Sequence, residues 1–82
     1  MRYKNYYSQK VSNEIVERVK PLMKQMAKTE FANILGADRK RVYAIFNGEH
    51  PINVGDVQVI CTNFGVTPNY LFGWEEENGL EE

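Results

Sequence analysis

The stretch KTEFANILGADRKRVYAIFNG, residues 28–48, decides the fold of this chain of 82 residues. Apolar residues recur at helical spacing in two short segments, and three residues that suit a turn separate them. The first segment, Lys28–Leu35, is followed by Gly36, a residue that readily takes the positive φ found at helix C-termini. Asp38 is then a suitable N-cap for a second helix that runs to about Phe46. The stretch therefore predicts a helix, a tight turn and a second helix.

A longer helix is predicted upstream of this pair. Its apolar stripe follows steps of four, three and four residues from Ile15 to Met26, and Ser12 is a candidate N-cap. Pro21 interrupts the stripe, because proline removes one intrahelical hydrogen bond and clashes with the preceding turn. The helix therefore either kinks near Pro21 or ends there, and both alternatives stay open.

Two further helices are predicted downstream. Asn53 is an N-cap for a fourth helix of roughly residues 54–64, with Asp56 at the spacing of a capping box. Thr67 and the proline after it begin a short fifth helix that ends at Gly73. No alternating strand pattern persists, so the expected fold class is all-α, with five helices and a helix-turn-helix at helices 2 and 3.

Length and composition allow one domain. We expect a basic and aromatic arm over residues 1–10, a helix-turn-helix domain over residues 11–74, and an acidic disordered tail over residues 75–82. The arm either reaches a minor groove or packs on the domain. The polar N-terminus, the single Cys61 and the lack of a long apolar run favour a cytoplasmic protein.

The net charge of −1 conceals a strong asymmetry. Residues 1–41 hold all ten Lys and Arg and four acidic residues, whereas residues 42–82 hold seven acidic residues and no Lys or Arg. A basic end that faces a polyanion explains this pattern, and an ordinary solvated surface is the alternative. On a helical wheel, the second helix of the pair carries apolar residues on one side and polar residues with Tyr43 on the other.

The first turn of that helix is basic. Arg39, Lys40 and Arg41 lie at the positive end of the helix macrodipole, where each cation is unfavourable by about 0.3–1 kcal/mol. Such a choice is reasonable if an anion binds there, because the N-terminal residues of a recognition helix reach base edges in the major groove. Arg and Lys side chains there read guanine O6 and N7. This pattern predicts double-stranded DNA binding.

At this point the chain resembles a known family. From Lys28 to Gly73 it is similar to the phage repressor and Cro-like (XRE-type) helix-turn-helix domains, which include the lambda-type repressors. The matching features are, in chain order, Phe31-Ala32, Leu35-Gly36, Asp38, Val42, Ile45, Asn47-Gly48, Gly65-Val66-Thr67 and Tyr70-Leu71-Phe72-Gly73. The sequence departs from the family pattern at Ala27, where a Ser cap is usual, at Pro21 and at Gly55.

The resemblance implies a five-helix lambda-repressor-like domain that acts as a transcriptional regulator, with helix 3 in the major groove of an inverted-repeat operator. The DNA-binding residues expected on this basis and from the wheel are Lys28, Thr29, Arg39, Lys40, Arg41, Tyr43, Ala44 and Asn47. It also implies a homodimer through Tyr70, Phe72 and Trp74, aromatics that could instead pack within the monomer.

Other functions find little support in the sequence. One His and one Cys do not make a zinc site, and no phosphate loop or nucleophile motif occurs. We therefore expect no enzyme activity, no metal and no cofactor. The alternative function is a protein-interaction domain that keeps the helix-turn-helix fold without specific DNA binding.

Overall fold

The computed structural model describes residues 5–74 of the chain and contains, within that range, five helices and no β-strand. This architecture confirms the all-α fold class. In chain order the helices are α1 (Gln9–Met23), α2 (Lys28–Leu35), α3 (Arg39–Phe46), α4 (Val54–Phe64) and α5 (Pro68–Leu71).

The five helices enclose one hydrophobic core. Helix α1 packs against α3 and α5, and α2 packs against α3 and α4. Each helix contributes a large, fully buried side chain: Ile15, Phe31, Ile45, Ile60 and Leu71. Burying such a side chain is worth about 1.5–3 kcal/mol. The position of every helix, including those of the helix-turn-helix, is thus tied to the same core.

Side-chain caps begin three of the helices. The side chains of Asn53 and Thr67 accept from backbone N–H groups of α4 and α5, and the Asp56 carboxylate completes the capping box of α4. Both caps confirm the sequence predictions, although α5 ends at Leu71, two residues before the expected Gly73.

The cap predicted for α1 was wrong. The helix begins one turn earlier, where Ser8 is the N-cap and its hydroxyl accepts from the N–H of Val11 at 3.2 Å. Ser12 lies inside the helix and is fully buried, and its hydroxyl accepts from the backbone N–H of Ile52 at 2.9 Å. Ser12 therefore satisfies a loop N–H group in the core instead of a helix terminus.

Pro21 does not end α1. The helix continues through it to Met23, and only then does the chain turn toward α2. In this turn the N–H of Met26 donates to the carbonyl of Met23 at 2.8 Å, and Lys24 has a positive φ of 54°. A non-glycine residue in this region of backbone space costs of order 1–3 kcal/mol.

Residues 5–7 run in extended form along residues 52–54. The N–H of Tyr7 donates to the Ile52 carbonyl at 3.1 Å, and the N–H of Val54 donates to the Asn5 carbonyl at 2.8 Å. This part of the predicted arm packs on the domain, as one of the two alternatives expected. Residues 1–4 and the predicted acidic disordered tail, residues 75–82, lie outside the described residues.

Replacing the buried Ser12 by Ala should lower the free energy of unfolding by about 1–3 kcal/mol, because the N–H of Ile52 is then buried without an acceptor. Urea unfolding followed by far-UV circular dichroism measures the change. Thr62→Ala is the control, since that hydroxyl is exposed and its loss should change stability by less than about 0.5 kcal/mol. Equal stability of the two variants would contradict the role given to Ser12.

Candidate nucleic-acid interface

Helix α3 has one face in the core and the other in solvent. Val42 and Ile45 are buried, and the Phe46 ring meets the ring of Phe31 edge to face, with centroids 5.5 Å apart. On the opposite face Tyr43 is 45% exposed. Three residues of turn separate α2 from α3, and Gly36 closes α2 in the left-handed conformation. The local sequence therefore positions the outer face of α3 as expected.

The structure brings most of the predicted DNA-binding residues to this outer surface. Five of them are exposed: Lys28, Arg39, Lys40, Tyr43 and Asn47. The three that remain are partly buried: Thr29, Arg41 and Ala44. The five exposed residues together with Thr29 and Ala44 form the HTH face.

Lys28 connects the two helices of the HTH face. Its ammonium nitrogen lies 5.7 Å from the ring centroid of Tyr43 and 5.6 Å from that of Phe46. Contacts of this kind are worth about 0.5–1 kcal/mol at exposed sites. The charge at the start of α2 is thus held against the middle of α3, so a single anionic partner can contact both helices.

Arg41 has a structural partner that the sequence analysis missed. Its guanidinium Nη2 donates to Asp56 Oδ2, and the side chains are 25% and 7% exposed. The same carboxylate oxygen accepts from the backbone N–H of Asn53 at 3.2 Å. Asp56 was predicted only as part of a capping box, and a partner 15 residues away leaves no local signal in the sequence. This pair joins the first turn of α3 to the first turn of α4.

The two helices of the HTH face begin without a side-chain cap. Ala27 has no side-chain acceptor for α2, as the sequence indicated. The cap expected from the Asp38 carboxylate was wrong: Asp38 is the N-cap residue of α3, but its side chain makes no capping hydrogen bond. Glu30 accepts from the N–H of Ala27 at 3.2 Å, which covers one backbone donor just before α2. The N–H groups at the start of a helix attract anions when no side chain occupies them.

The charge asymmetry persists among the described residues. Residues 5–41 carry eight Lys or Arg and four Asp or Glu, whereas residues 42–74 carry two acidic residues and no Lys or Arg. One of those two acids is Asp56, which is paired with Arg41. The positive charge is therefore concentrated on α1 to α3.

The aromatic residues predicted at a dimer interface differ in their surroundings. Tyr70 is partly buried, and its hydroxyl donates to the carbonyl of Arg18 at 3.4 Å. Phe72 lies between Tyr7 and Trp74, with ring centroids 5.4 and 5.3 Å away. Trp74 is 75% exposed, so it offers the largest free apolar area of the three.

An apolar groove lies beside these aromatics. It is lined by Tyr7, Val54, Val57 and Cys61 together with Pro68. Burial raises the pKa of the Cys61 thiol, and burial followed by the charge of Cys61 raises the pKa of the Tyr7 hydroxyl. Both groups are therefore neutral near pH 7.

Two other features bear on possible chemistry. The ring of His50 meets that of Tyr6 edge to face, with centroids 5.4 Å apart. Over residues 5–74, no three His, Cys, Asp or Glu side chains are grouped so that they could hold a metal ion.

In the same part of the chain no helix has the length and hydropathy needed to cross a membrane.

The chain matches the family model of the BetR domain over residues 10–82. It therefore belongs to the BetR domain family, which comprises small helical domains of helix-turn-helix type associated with DNA-binding regulators. No curated protein and no solved structure matches the chain significantly.

Replacing Asp56 by Asn should lower the free energy of unfolding by about 1–3 kcal/mol, because Arg41 then loses a charged acceptor in a partly buried site. Guanidinium chloride unfolding measures the loss. The matched control is Asp38→Asn, since the Asp38 carboxylate is exposed and makes no capping hydrogen bond. Loss of equal size in both variants would show that the pair between α3 and α4 contributes nothing specific.

Proposed function

We propose that this BetR-domain chain binds double-stranded DNA in a sequence-specific manner and regulates transcription as a Cro or repressor type of protein. The observation that carries the proposal is the HTH face, where exposed basic side chains accompany two helices that begin without a side-chain cap. Membership of a family associated with DNA-binding regulators supports it. We propose a binding role without catalysis, cofactor or metal, in the cytoplasm.

Within this proposal, α3 enters the major groove with its N-terminus first. Arg39 and Lys40 then contact base edges, for which guanine O6 and N7 are the best acceptors. Tyr43 contacts a thymine methyl group or a phosphate, and Ala44 permits close approach of the helix. Asn47, at the C-terminal end of α3, contacts the DNA backbone.

The phosphate contacts come mainly from α2. Lys28 and Thr29 occupy its uncapped first turn, where backbone N–H groups and the positive end of the helix dipole favour a phosphate. Arg41 was also expected to contact DNA. We now propose that it acts chiefly by positioning α3, because its guanidinium is engaged by Asp56.

We further propose that two copies form a two-fold dimer through Tyr70, Phe72 and Trp74. Their α3 helices would then lie about 34 Å apart and read an inverted repeat. The high exposure of Trp74 supports this surface over packing within the monomer for that residue. Tyr70 contributes less, since it is partly buried and its hydroxyl contacts α1.

Selection of bound duplexes from a random DNA pool at about 0.15 M salt tests the proposal. We expect an inverted-repeat motif for the wild type. Arg39→Ala and Lys40→Ala should change the selected bases, whereas Lys28→Ala should weaken binding to all sequences alike. Lys10→Ala is the control, because it removes one positive charge from the start of α1, outside the helix-turn-helix. Unchanged base preference in the Arg39 and Lys40 variants would refute base reading by α3.

The dimer is tested separately. Trp74→Ser should weaken self-association at least tenfold in analytical ultracentrifugation. Truncating an aromatic side chain at the centre of an interface commonly costs about 2 kcal/mol or more of binding free energy. Tyr43→Ser, at an exposed aromatic residue of the HTH face, is the control in the absence of DNA. A wild-type chain that stays monomeric in the presence of its operator would exclude this dimer.

A protein-interaction role remains the second candidate, favoured by the exposed Trp74 and the neighbouring apolar groove. It predicts that the random-pool selection returns no motif and that DNA binding does not exceed weak charge attraction. A motif in the selection would therefore decide against it.

A further inference from the structure

We propose that a cationic cleft at the corner between α1 and α2 binds phosphates of the same duplex, beyond the contacts of the HTH face. The cleft is lined by Lys20, Lys24 and Lys28. Neither Lys20 nor Lys24 belongs to the helix-turn-helix. The inference rests on the proposed DNA binding, and it assigns a second surface to that function.

The cleft is continuous with the HTH face. Lys28 belongs to both, and Phe46, the last residue of α3, lines the cleft as well as contacting Lys28 at 5.6 Å. Met23 and Met26 complete the apolar floor. A duplex that lies along α3 therefore has its flanking backbone next to the two additional lysines.

The backbone of Lys24 is the strongest indication of a function here. Its φ of 54° and ψ of −112°, with the hydrogen bond from Met26 N–H to Met23 C=O, describe a type II′ turn with Lys24 at the first central position. That position of the turn favours glycine. Lys24 is the only non-glycine residue with positive φ among residues 5–74. Strained residues of this kind concentrate at functional sites. Stability does not explain a lysine here, whereas a need for positive charge does.

The charges of the cleft are available to an anion. None of the described residues that line it is acidic. Lys20 pairs with Glu17 at 2.9 Å, but the two side chains are 48% and 69% exposed, and exposed pairs contribute little. A phosphate can therefore displace that carboxylate.

The composition of the cleft points to phosphate and not to bases. Lysine binds phosphate as a flexible point charge, without the planar donor fork with which arginine matches paired acceptors. Such contacts fix the register of a protein on the duplex and carry no sequence information themselves. The cleft should add affinity at every sequence.

The test uses the full chain and measures binding by fluorescence anisotropy, at salt concentrations from about 0.05 to 0.3 M, with the selected duplex and with a random-sequence duplex. Each lost phosphate contact should reduce the magnitude of the salt slope by about 0.9. We expect a reduction of about 0.9 for Lys24→Gly and about 1.8 for the double variant Lys20→Ala/Lys24→Gly. The difference in affinity between the two duplexes should not change.

Lys24→Gly also separates the effect of the lost charge on DNA binding from an effect on protein stability. Because glycine accepts the positive φ, this variant should have a thermal midpoint no lower than that of the wild type while it binds DNA more weakly. Lys24→Ala removes the same charge and keeps the backbone strain, so it should lose the same affinity. Lys10→Ala removes one positive charge from α1 outside the cleft and should leave the salt slope unchanged.

A gain of affinity provides the converse test. Glu17→Gln frees Lys20 and should tighten binding to both duplexes, whereas Glu14→Gln makes the same change in net charge one turn earlier and should not. If the wild type binds but the lysine variants keep its salt slope, the cleft proposal is overturned while DNA binding stands. If the wild type binds neither duplex at 0.05 M salt, both proposals fail together.

Discussion

The contact between Arg41 and Asp56 ties the first turn of α3 to the first turn of α4. Helix α3 has only eight residues, and isolated helices shorter than about 12–15 residues are marginal in water. Its position is therefore set by tertiary contacts. Val42 and Ile45 determine which face is buried, and Arg41 fixes the first turn. Because Asp56 also closes the capping box of α4, one carboxylate serves both helices, and the proposed base-reading residues inherit their placement from it.

Local stability is lowered where the proposed DNA contacts lie. Helices α1, α4 and α5 begin with side-chain caps, whereas α2 and α3 do not. The first turn of α3 is basic, and Lys24 occupies a backbone conformation that suits glycine. Each of these choices costs on the order of 1 kcal/mol. Proteins depart from locally favourable choices mainly at functional sites, and here the departures cluster on the two basic surfaces.

Sequence patterns predicted the parts of the fold that local residues determine. The end of α2 follows from Gly36 and the start of α4 from Asn53, each of which marks a boundary through its own backbone or side chain. Asp38 marks the start of α3 by position alone, because its side chain makes no capping hydrogen bond. The start of α1 could not be predicted in this way, because Ser8 and Ser12 are hydroxyl residues one turn apart. Only the distant N–H of Ile52 distinguishes them. The exposed residues of α3 in the HTH face followed from the helical wheel, since one side of α3 is apolar, whereas Lys28 on α2 came from the family resemblance. The pairing of Arg41 and the turn at Lys24 depend on tertiary packing, which no short pattern contains.

A net charge of −1 is no argument against a polyanion as partner. Attraction at contact distance depends on the local field, because exposed charges more than about 8–10 Å away are largely screened at physiological salt. The basic residues of this chain differ in their position and also in the part of the DNA that they are proposed to contact. Arg39 and Lys40 lie on the helix proposed to read bases, whereas Lys20 and Lys24 lie in the cleft proposed to bind backbone phosphates. Contacts of the first kind set which sequence is bound, and contacts of the second kind set how strongly any sequence is bound. Because Lys20 and Lys24 lie outside the HTH face, either property can change while the other is kept.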